Sequence, residues 1–376
     1  MRVVIVTESF LPAVNGVTNS VVRVLDHLRE HDTEAVVIAP RGGPATYNDV
    51  PVVGVPAVSV PRYRSFRLGL PCRKIARTIR SFRPDVIHLA SPFGLGAFAG
   101  FVARRCGVPV VAVYQTDVPA FVGTYGLRRV ARILWRWTSR IHSRAQLTLA
   151  PSTQSASDLE RHGVDNVRIW RRGVDAHRFS PRRRCEITRA ELAEKSAIIV
   201  GYVGRLAPEK MLHHLAFVHA MNDVQLVVVG DGPSRDELER LLPRARFLGF
   251  VGGDDLARAV ASFDIFVHTG PHETFCQSIQ EALASGVPVV APASGGPLDL
   301  VSAGENGFLY DPASPSDIAA HVAKLRDEPA LRAQLGATAR AGVEHRSWGA
   351  LTGEIVGHYH AACALDGRRD VVRGAA

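Results

Sequence analysis

Two glutamates, Glu273 and Glu281, stand eight residues apart in the segment His272-Glu273-Thr274-Phe275-Cys276-Gln277-Ser278-Ile279-Gln280-Glu281. Between them the pattern passes from loop to helix, and Gly286 closes that helix ahead of the apolar run Val287-Pro288-Val289-Val290. A helix that begins beside the end of a buried strand offers free amides and a partial positive charge to an anion. A carboxylate just ahead of the helix can grip neutral hydroxyls, and one a little over two turns along can reach a farther part of the same ligand. A sugar nucleotide carries sugar, diphosphate and ribose in that order. Spacing alone is a weak signal, and the loop-to-helix junction gives it weight.

A second cluster lies upstream. Gly201-Tyr202-Val203-Gly204-Arg205-Leu206-Ala207-Pro208-Glu209-Lys210 reads as a buried strand ending in Gly204, then two cations, Arg205 and Lys210, ahead of a helix. Arg makes paired hydrogen bonds to phosphate oxygens and Lys supplies a compact charge, so the two suit a diphosphate; the bland alternative is a surface ion pair with Glu209. Near the N-terminus, Pro12-Ala13-Val14-Asn15-Gly16-Val17 joins a strand to a helix. Gly16 lets backbone approach a ligand and the amides after it could meet phosphate, although glycine at such a turn is often structural. Ser294-Gly295-Gly296-Pro297 could add amides to an anion nest.

These groups need a scaffold that gathers strand ends. Short apolar runs at 3–6, 35–39, 85–89, 108–113 and 146–150 alternate with helix-like stretches, the first over 17–28. Continuous rather than alternating runs predict strands buried on both faces, hence a parallel sheet. Between Arg171 and Ser196 the pattern lapses into Arg, Pro, Gly and charged residues, and it resumes at 197–203, 225–229, 245–248, 264–268 and 287–291. A chain of 376 residues accommodates two cores, so two doubly wound α/β units are expected. Their spans are 1–178 and 179–345. The second ends in a helix over 316–343, and a helix over 348–361 follows, with a frayed polar tail beyond Asp366.

Composition bounds the rest. Hydrophobic residues make up 46% and charged residues 22%, which excludes a disordered chain. Five scattered cysteines without a C-x-x-C pair suit a reducing compartment and no structural zinc. Neither His213-His214 nor His358-x-His360 has metal-site spacing, so no metal and no cofactor is expected. No targeting segment is evident, and the longest apolar run, 92–103, is too short to span a bilayer. The net charge of +9 invites nucleic acid, anionic lipid or phosphorylated ligands. It is concentrated early: Arg62, Arg64, Arg67, Arg73, Lys74, Arg77 and Arg80 share the 41–83 stretch with one acid, Asp49. A helix from Arg128 repeats Arg132, Arg136, Arg140 and Arg144 beside Val130, Ile133, Leu134, Trp137 and Ile141. Arg128, Arg132, Arg136 and Trp137 are therefore candidate contacts to an anionic membrane surface, a solvated helix face being the alternative.

Taken together, the Glu-x7-Glu segment with its Ala-x-Gly-x-Pro-Val-Val tail, Gly204-Arg205-Leu206-x-x-x-Lys210, Asn15-Gly16-Val17 and Arg172-Gly173-Val174-Asp175 resemble the retaining glycosyltransferases of family four. The resemblance implies a GT-B fold, two facing Rossmann-like domains with a cleft between them: an acceptor-binding first domain, a nucleotide-sugar-binding second, and a C-terminal helix over 346–376 that packs back on the first. It places Arg205 and Lys210 on the diphosphate, Glu273 on the sugar hydroxyls and Glu281 on the ribose. Gly16, Gly204, the Val251 backbone in Phe247-Leu248-Gly249-Phe250-Val251, and the amides near Phe275 and Cys276 complete the donor site. Gln115 of Tyr114-Gln115-Thr116-Asp117 stands where relatives often carry histidine, so with Asp117 it lines the sugar pocket without a proton to transfer. Arg62 and Arg64 fall where relatives bind acceptor. Within the family the chain looks most like bacterial lipid-directed mannosyltransferases that use GDP-mannose, and like sulfoquinovosyl-diacylglycerol synthases that use a UDP-sugar. The implied partners are the donor, a lipid or glycolipid acceptor and the inner face of the plasma membrane, approached from the cytoplasm. Two rivals stay open: a basic nucleic-acid-binding protein, and a sugar-nucleotide epimerase on the same fold.

Overall fold

The computed structural model describes residues 1–13, 15–60, 63–124, 126–194 and 197–374, and the chain divides into two compact units. The first comprises Met1–Arg171 with Gly349–Ala376, and the second Arg172–Trp348. In the first unit the sheet runs 167–169, 147–150, 110–113, 86–89, 2–6, 34–40 and 50–55, all parallel, with Thr46–Tyr47 added antiparallel at the edge. In the second the parallel order is 246–249, 224–229, 198–203, 265–267, 289–292 and 307–310. Counted within its unit, each sheet has the doubly wound order 3-2-1-4-5-6, the first extended by a seventh strand.

Burial explains why apolar runs became these strands. Along Arg2–Val6, Val3 and Ile5 join one apolar cluster while Val4 and Val6 join another on the opposite face. Ile199 and Val203 likewise part from Val200 and Tyr202 in the second unit. A strand clad on both faces has no polar side, which is why alternation is missing from the sequence. The last helix, Trp348–Gly374, belongs to the first unit: Ile355, Tyr359 and Ala362 share a core cluster with Val3 and Ile5. Its Tyr359 hydroxyl lies 2.6 Å from His88 Nδ1, and Trp170 Nε1 donates to the Leu351 carbonyl at 2.7 Å. Burial pushes His88 down to about 3, so this bond joins neutral groups.

Several elements depart from the sequence reading. The basic 41–83 stretch contains an antiparallel hairpin, Ala57–Val60 with Tyr63–Gly69. The polar stretch that opens the second unit holds a helix, Glu186–Leu192, and Gly307–Tyr310 adds a strand. The expected helix over 316–343 is two, Asp317–Asp327 and Pro329–Val343, because Pro329 has no amide to continue the first and suits the first turn of the second. Among the described residues no helix is long and apolar enough to cross a membrane.

Candidate active site

Doubly wound sheets take ligands where the strand order reverses, outside the carboxyl ends of the two central strands. In the second unit those strands are Ile198–Val203 and Ile265–Val267. The first releases the chain into Gly204-Arg205 and a short turn ending at Lys210; the second releases it into His268-Thr269-Gly270 and the loop to Glu273. The two segments are tied by the Thr269 hydroxyl, which donates to the Lys210 carbonyl at 2.6 Å. Lys210 Nζ then donates to Glu273 Oε1 at 2.5 Å, with His268 Nε2 at 3.2 Å from the same oxygen. Arg205 is exposed, and its carbonyl accepts from the Tyr202 hydroxyl at 3.3 Å. Gly204 is needed there, because a Cβ would lie 2.6 Å from that hydroxyl.

The charges follow from this packing. Burial works against ionising Glu273, but Lys210 and then His268 outweigh it and hold the carboxyl well below the usual carboxylate range. Burial likewise works against a charged His268; the neighbouring Cys276 and Glu273 prevail and raise it to about 9, so the ring is an imidazolium at neutral pH. Lys210 is raised by Glu273 despite its own burial. Arg172, 7% exposed, is pulled down to about 10 by burial, with Glu273 opposing. One carboxylate thus sits in the field of three cations, an arrangement able to bind hydroxyls through Glu273 and to re-aim Lys210 at an arriving diphosphate.

The helix that follows is Gln277–Ala284, anchored by Gln277 Nε2 to the Gly173 carbonyl at 3.1 Å and by Gln280 Nε2 to that of Arg172 at 3.0 Å. Phe275 is in the core, and Cys276 caps the helix in the left-handed region, φ 78°, with its thiol buried. Burial pushes Glu281 up to about 8, against a hydrogen bond from Gln277 and the charge of Arg178, so at neutral pH it is mainly the uncharged acid, able to donate as well as accept. Ser294-Gly295-Gly296 does not form the expected nest. The Gly296 amide donates to the Glu273 carbonyl at 2.6 Å, and a Cβ there would lie 2.4 Å from Phe275 Cα, so the glycines brace the Glu273 loop instead. Val251 is half-buried against the core just ahead of helix Gly253–Ala261. His268, Glu273 and Cys276 offer three ligand atoms within 4.8 Å of one another, a grouping invisible in metal-motif spacing; Lys210 already neutralises the carboxylate.

In the first unit three of the expected site positions are engaged in local hydrogen bonds. Gly16 opens helix Gly16–Glu30, but the Val17 and Thr18 amides both donate to Asn15 Oδ1 at 3.0 Å, so the amides expected to meet phosphate are occupied by the helix cap. Gln115 is buried, and its amide nitrogen donates to the Ala90 carbonyl. Asp117 Oδ1 accepts from the Ala120 amide at 2.8 Å, capping helix Val118–Thr124. Arg62 lies outside the described residues, as does the side chain of Arg64. Arg128, Arg132, Arg136 and Trp137 are all exposed on helix Arg128–His142, together with Val130 at 41% and Ile133 at 63%. Sequence reasoning missed Glu8, which follows the central strand Arg2–Val6. Its Oε1 accepts from the Leu95 amide at 2.6 Å and the Phe93 amide at 3.2 Å, and burial outweighs those bonds to raise it to about 7. It also missed His268 and Arg172. A histidine closing a central strand was the available signal.

Two doubly wound units, one with a lysine–glutamate pair at its reversal point ahead of a short helix, define a GT-B glycosyltransferase. The fold is that of HepE from Anabaena, solved in complex with UDP: the TM-score is 0.80 over 96% of this chain and 100% of that one, at 21% identity. Residues 14–178 match Glycosyltransferase Family 4, and residues 184–342 match Glycosyl transferases group 1. The chain is 47% identical to the GDP-mannose-dependent alpha-mannosyltransferase of Mycolicibacterium smegmatis over 99% of both chains. It is 32% identical to the sulfoquinovosyl transferase of Arabidopsis thaliana over 93% of this chain and 71% of that one. The protein belongs to the family-four glycosyltransferases.

Proposed function

We propose that the protein is a retaining α-mannosyltransferase that moves mannose from GDP-mannose to a lipid or glycolipid acceptor in envelope glycolipid synthesis. The observation that carries the sugar and nucleotide is the near full-length 47% identity to a GDP-mannose-dependent enzyme. The chemistry rests on the second unit. Lys210 and Arg205 hold the departing diphosphate, Glu273 orients sugar hydroxyls and Glu281, mainly uncharged, reaches the ribose. Glu273 is locked to Lys210 and His268. That suits a mechanism in which the leaving phosphate, rather than a carboxylate, receives the acceptor proton on the face it departs from.

A thermal-shift panel of GDP-mannose, UDP-glucose and ADP-glucose tests the donor, since bound donor stabilises the fold by mass action. GDP-mannose should give the largest shift, and incubation with a diacylglycerol glycolipid should yield a mannosylated product. A larger shift with UDP-sugars would favour sulfoquinovosyl-type or glucosyl transfer to diacylglycerol, the second reading, supported by the Arabidopsis relative. Sugar isomerisation without acceptor would favour an epimerase.

The protein acts on the cytoplasmic side of the membrane, docking through Arg128, Arg132, Arg136 and Trp137. Their joint exposure supports this placement. Each cation near an anionic surface contributes about 1 kcal/mol, screened within a Debye length. Vesicle sedimentation of a triple Arg→Gln variant tests it: binding should fall steeply while donor binding holds. Equal sedimentation of both proteins would leave the stripe a solvated face.

A further inference from the structure

Helices Gly94–Arg105 and Arg128–His142 pack beside each other over strands Val86–Leu89 and Val110–Val113 of the first unit. Between them runs a groove of about 380 Å³, within the roughly 300–1,000 Å³ of small-molecule sites. Its walls are apolar: Phe98, Phe101, Trp137 and Ile141 over a floor at Leu89. Phe101 and Trp137 are 46% and 40% exposed, an open hydrophobic surface that a monomer in water would cover. Gly100, which carries no side chain, leaves the groove its width.

Three arginines, Arg104, Arg140 and Arg144, line one end. Among the described residues no carboxylate pairs with any of them. Burial and then the charge of Arg144 lower Arg104 from its ordinary value, a repulsion that a bound anion would relieve. Both helices begin at the carboxyl edge of the sheet and end at its amino edge, as helices between parallel strands must. Arg104 and Arg140 in their last turns, with Arg144 just beyond the second helix, therefore lie at the end of the groove remote from Asn15 and Gln115, where a reacting acceptor hydroxyl has to be. The matching ligand carries an anion at one end and a hydrocarbon tail that runs along the helices. Leu127, Val130 and Ile133 extend the apolar surface outward on the same helix, which points to a membrane as the source.

We propose that this groove holds one acyl chain of an anionic phospholipid, its phosphate on Arg104, Arg140 and Arg144, as an anchor separate from the acceptor. It rests on the function proposed above only in the premise that the protein works at a lipid surface. The test uses a lipid that stays monomeric, so that it is independent of vesicle docking: calorimetric titration of the full chain with dihexanoyl phosphatidylglycerol below its micelle concentration. Dihexanoyl phosphatidylcholine and glycerol phosphate serve as controls for charge and tail. Phosphatidylglycerol should bind one to one and at least about tenfold tighter than either control. Gly100→Leu fills the groove without altering charge. Its Cβ would meet only Leu89 Cδ1, at an ordinary 3.7 Å, and leucine favours helix. This variant, with an unchanged melting profile, should lose binding about tenfold or more. Arg104→Gln with Arg144→Gln should erase the preference over phosphatidylcholine. Equal affinity of wild type and Gly100→Leu overturns the proposal, as does glycerol phosphate binding as tightly as the lipid. Loss of vesicle binding by the Arg128, Arg132 and Arg136 variant with monomer binding intact would separate the docking stripe from the groove.

Discussion

The two sheets share a strand order, yet their carboxyl edges are finished differently. In the second unit the side chains at the central strand ends bind one another: Lys210 and His268 converge on Glu273. In the first the bonds go mostly to backbone, although Asn15 Nδ2 also donates to Ser9 Oγ at 2.7 Å. Asn15 and Asp117 cap helices, Gln115 donates to the Ala90 carbonyl and Glu8 accepts from the Leu95 and Phe93 amides. A network of paired charges can exchange one anion for another with little rearrangement, which suits a ligand bearing two phosphates. A set of caps fixes loop shape and leaves recognition to the surface the loops present. On this view the second unit recognises its ligand by charge and the first by form.

The comparison is most exposed to failure at Lys210. Lys210→Ala removes the cation proposed to meet the diphosphate and strands the Glu273 carboxylate, so kcat/KM should fall about 100- to 1,000-fold. Arg205, already in solvent, should cost nearer tenfold when changed to Ala. Steady-state kinetics with GDP-mannose and saturating acceptor rank the two, and a reversed order would remove the buried pair from its place at the phosphates. Next comes the glutamate pair. Glu273→Gln should lower turnover about tenfold or more, because it replaces a carboxylate locked in a charge network. Glu281→Gln replaces a carboxyl that is already mainly neutral near pH 7 and should act a few-fold, chiefly on donor KM. A larger turnover loss in Glu281→Gln would show the ligand lying the other way along the helix.

The charge network also sets a pH signature. His268 is raised from 6.5 to about 9 in the folded protein, so the stability it contributes is complete below pH 6.5 and is lost as pH rises through about 9. Melting temperatures taken from pH 6.5 to 9.5 should fall less steeply in His268→Gln than in wild type. Parallel slopes would mean that the ring does not carry the charge the network assigns it. The two fully buried histidines of the first unit do not share this signature, since burial keeps His88 and His142 neutral throughout this range, each lowered to about 3.

What the sequence disclosed follows the same division. Strands clad on both faces were legible as continuous apolar runs, and the placement of Glu273, Arg205 and Lys210 beyond strand ends was legible because they follow those strands at short range. His268 was not: its role comes from meeting Glu273 across a loop and Lys210 from another strand, a proximity with no fixed spacing. The caps escaped for a different reason. Asn15, Gln115 and Asp117 are polar residues at strand ends, and from sequence a polar residue aimed at a ligand looks the same as one aimed at the next amide. The hairpin of Ala57–Val60 and Tyr63–Gly69 was hidden by arginines, which signal charge more loudly than they signal strand.

The smallest effect is expected where the first unit is said to work by form. Asp117→Ala removes the acceptor of the Ala120 amide and so loosens the start of helix Val118–Thr124. Losing such a cap costs about 1 kcal/mol, a shift in melting temperature of roughly 2–4 °C for a unit of this size. Turnover should stay within about threefold, and Asp117→Asn, whose amide oxygen can still cap, should restore most of the stability. Thermal melts and kinetics on the two variants together decide the matter. A turnover loss of tenfold or more that the Asn variant shares, with melting unchanged, would mean that the Asp117 carboxylate meets the sugar or the acceptor through its charge. The first unit would then also recognise by charge, and the contrast between the two edges would fail at the residue where the sequence first placed it in the sugar pocket.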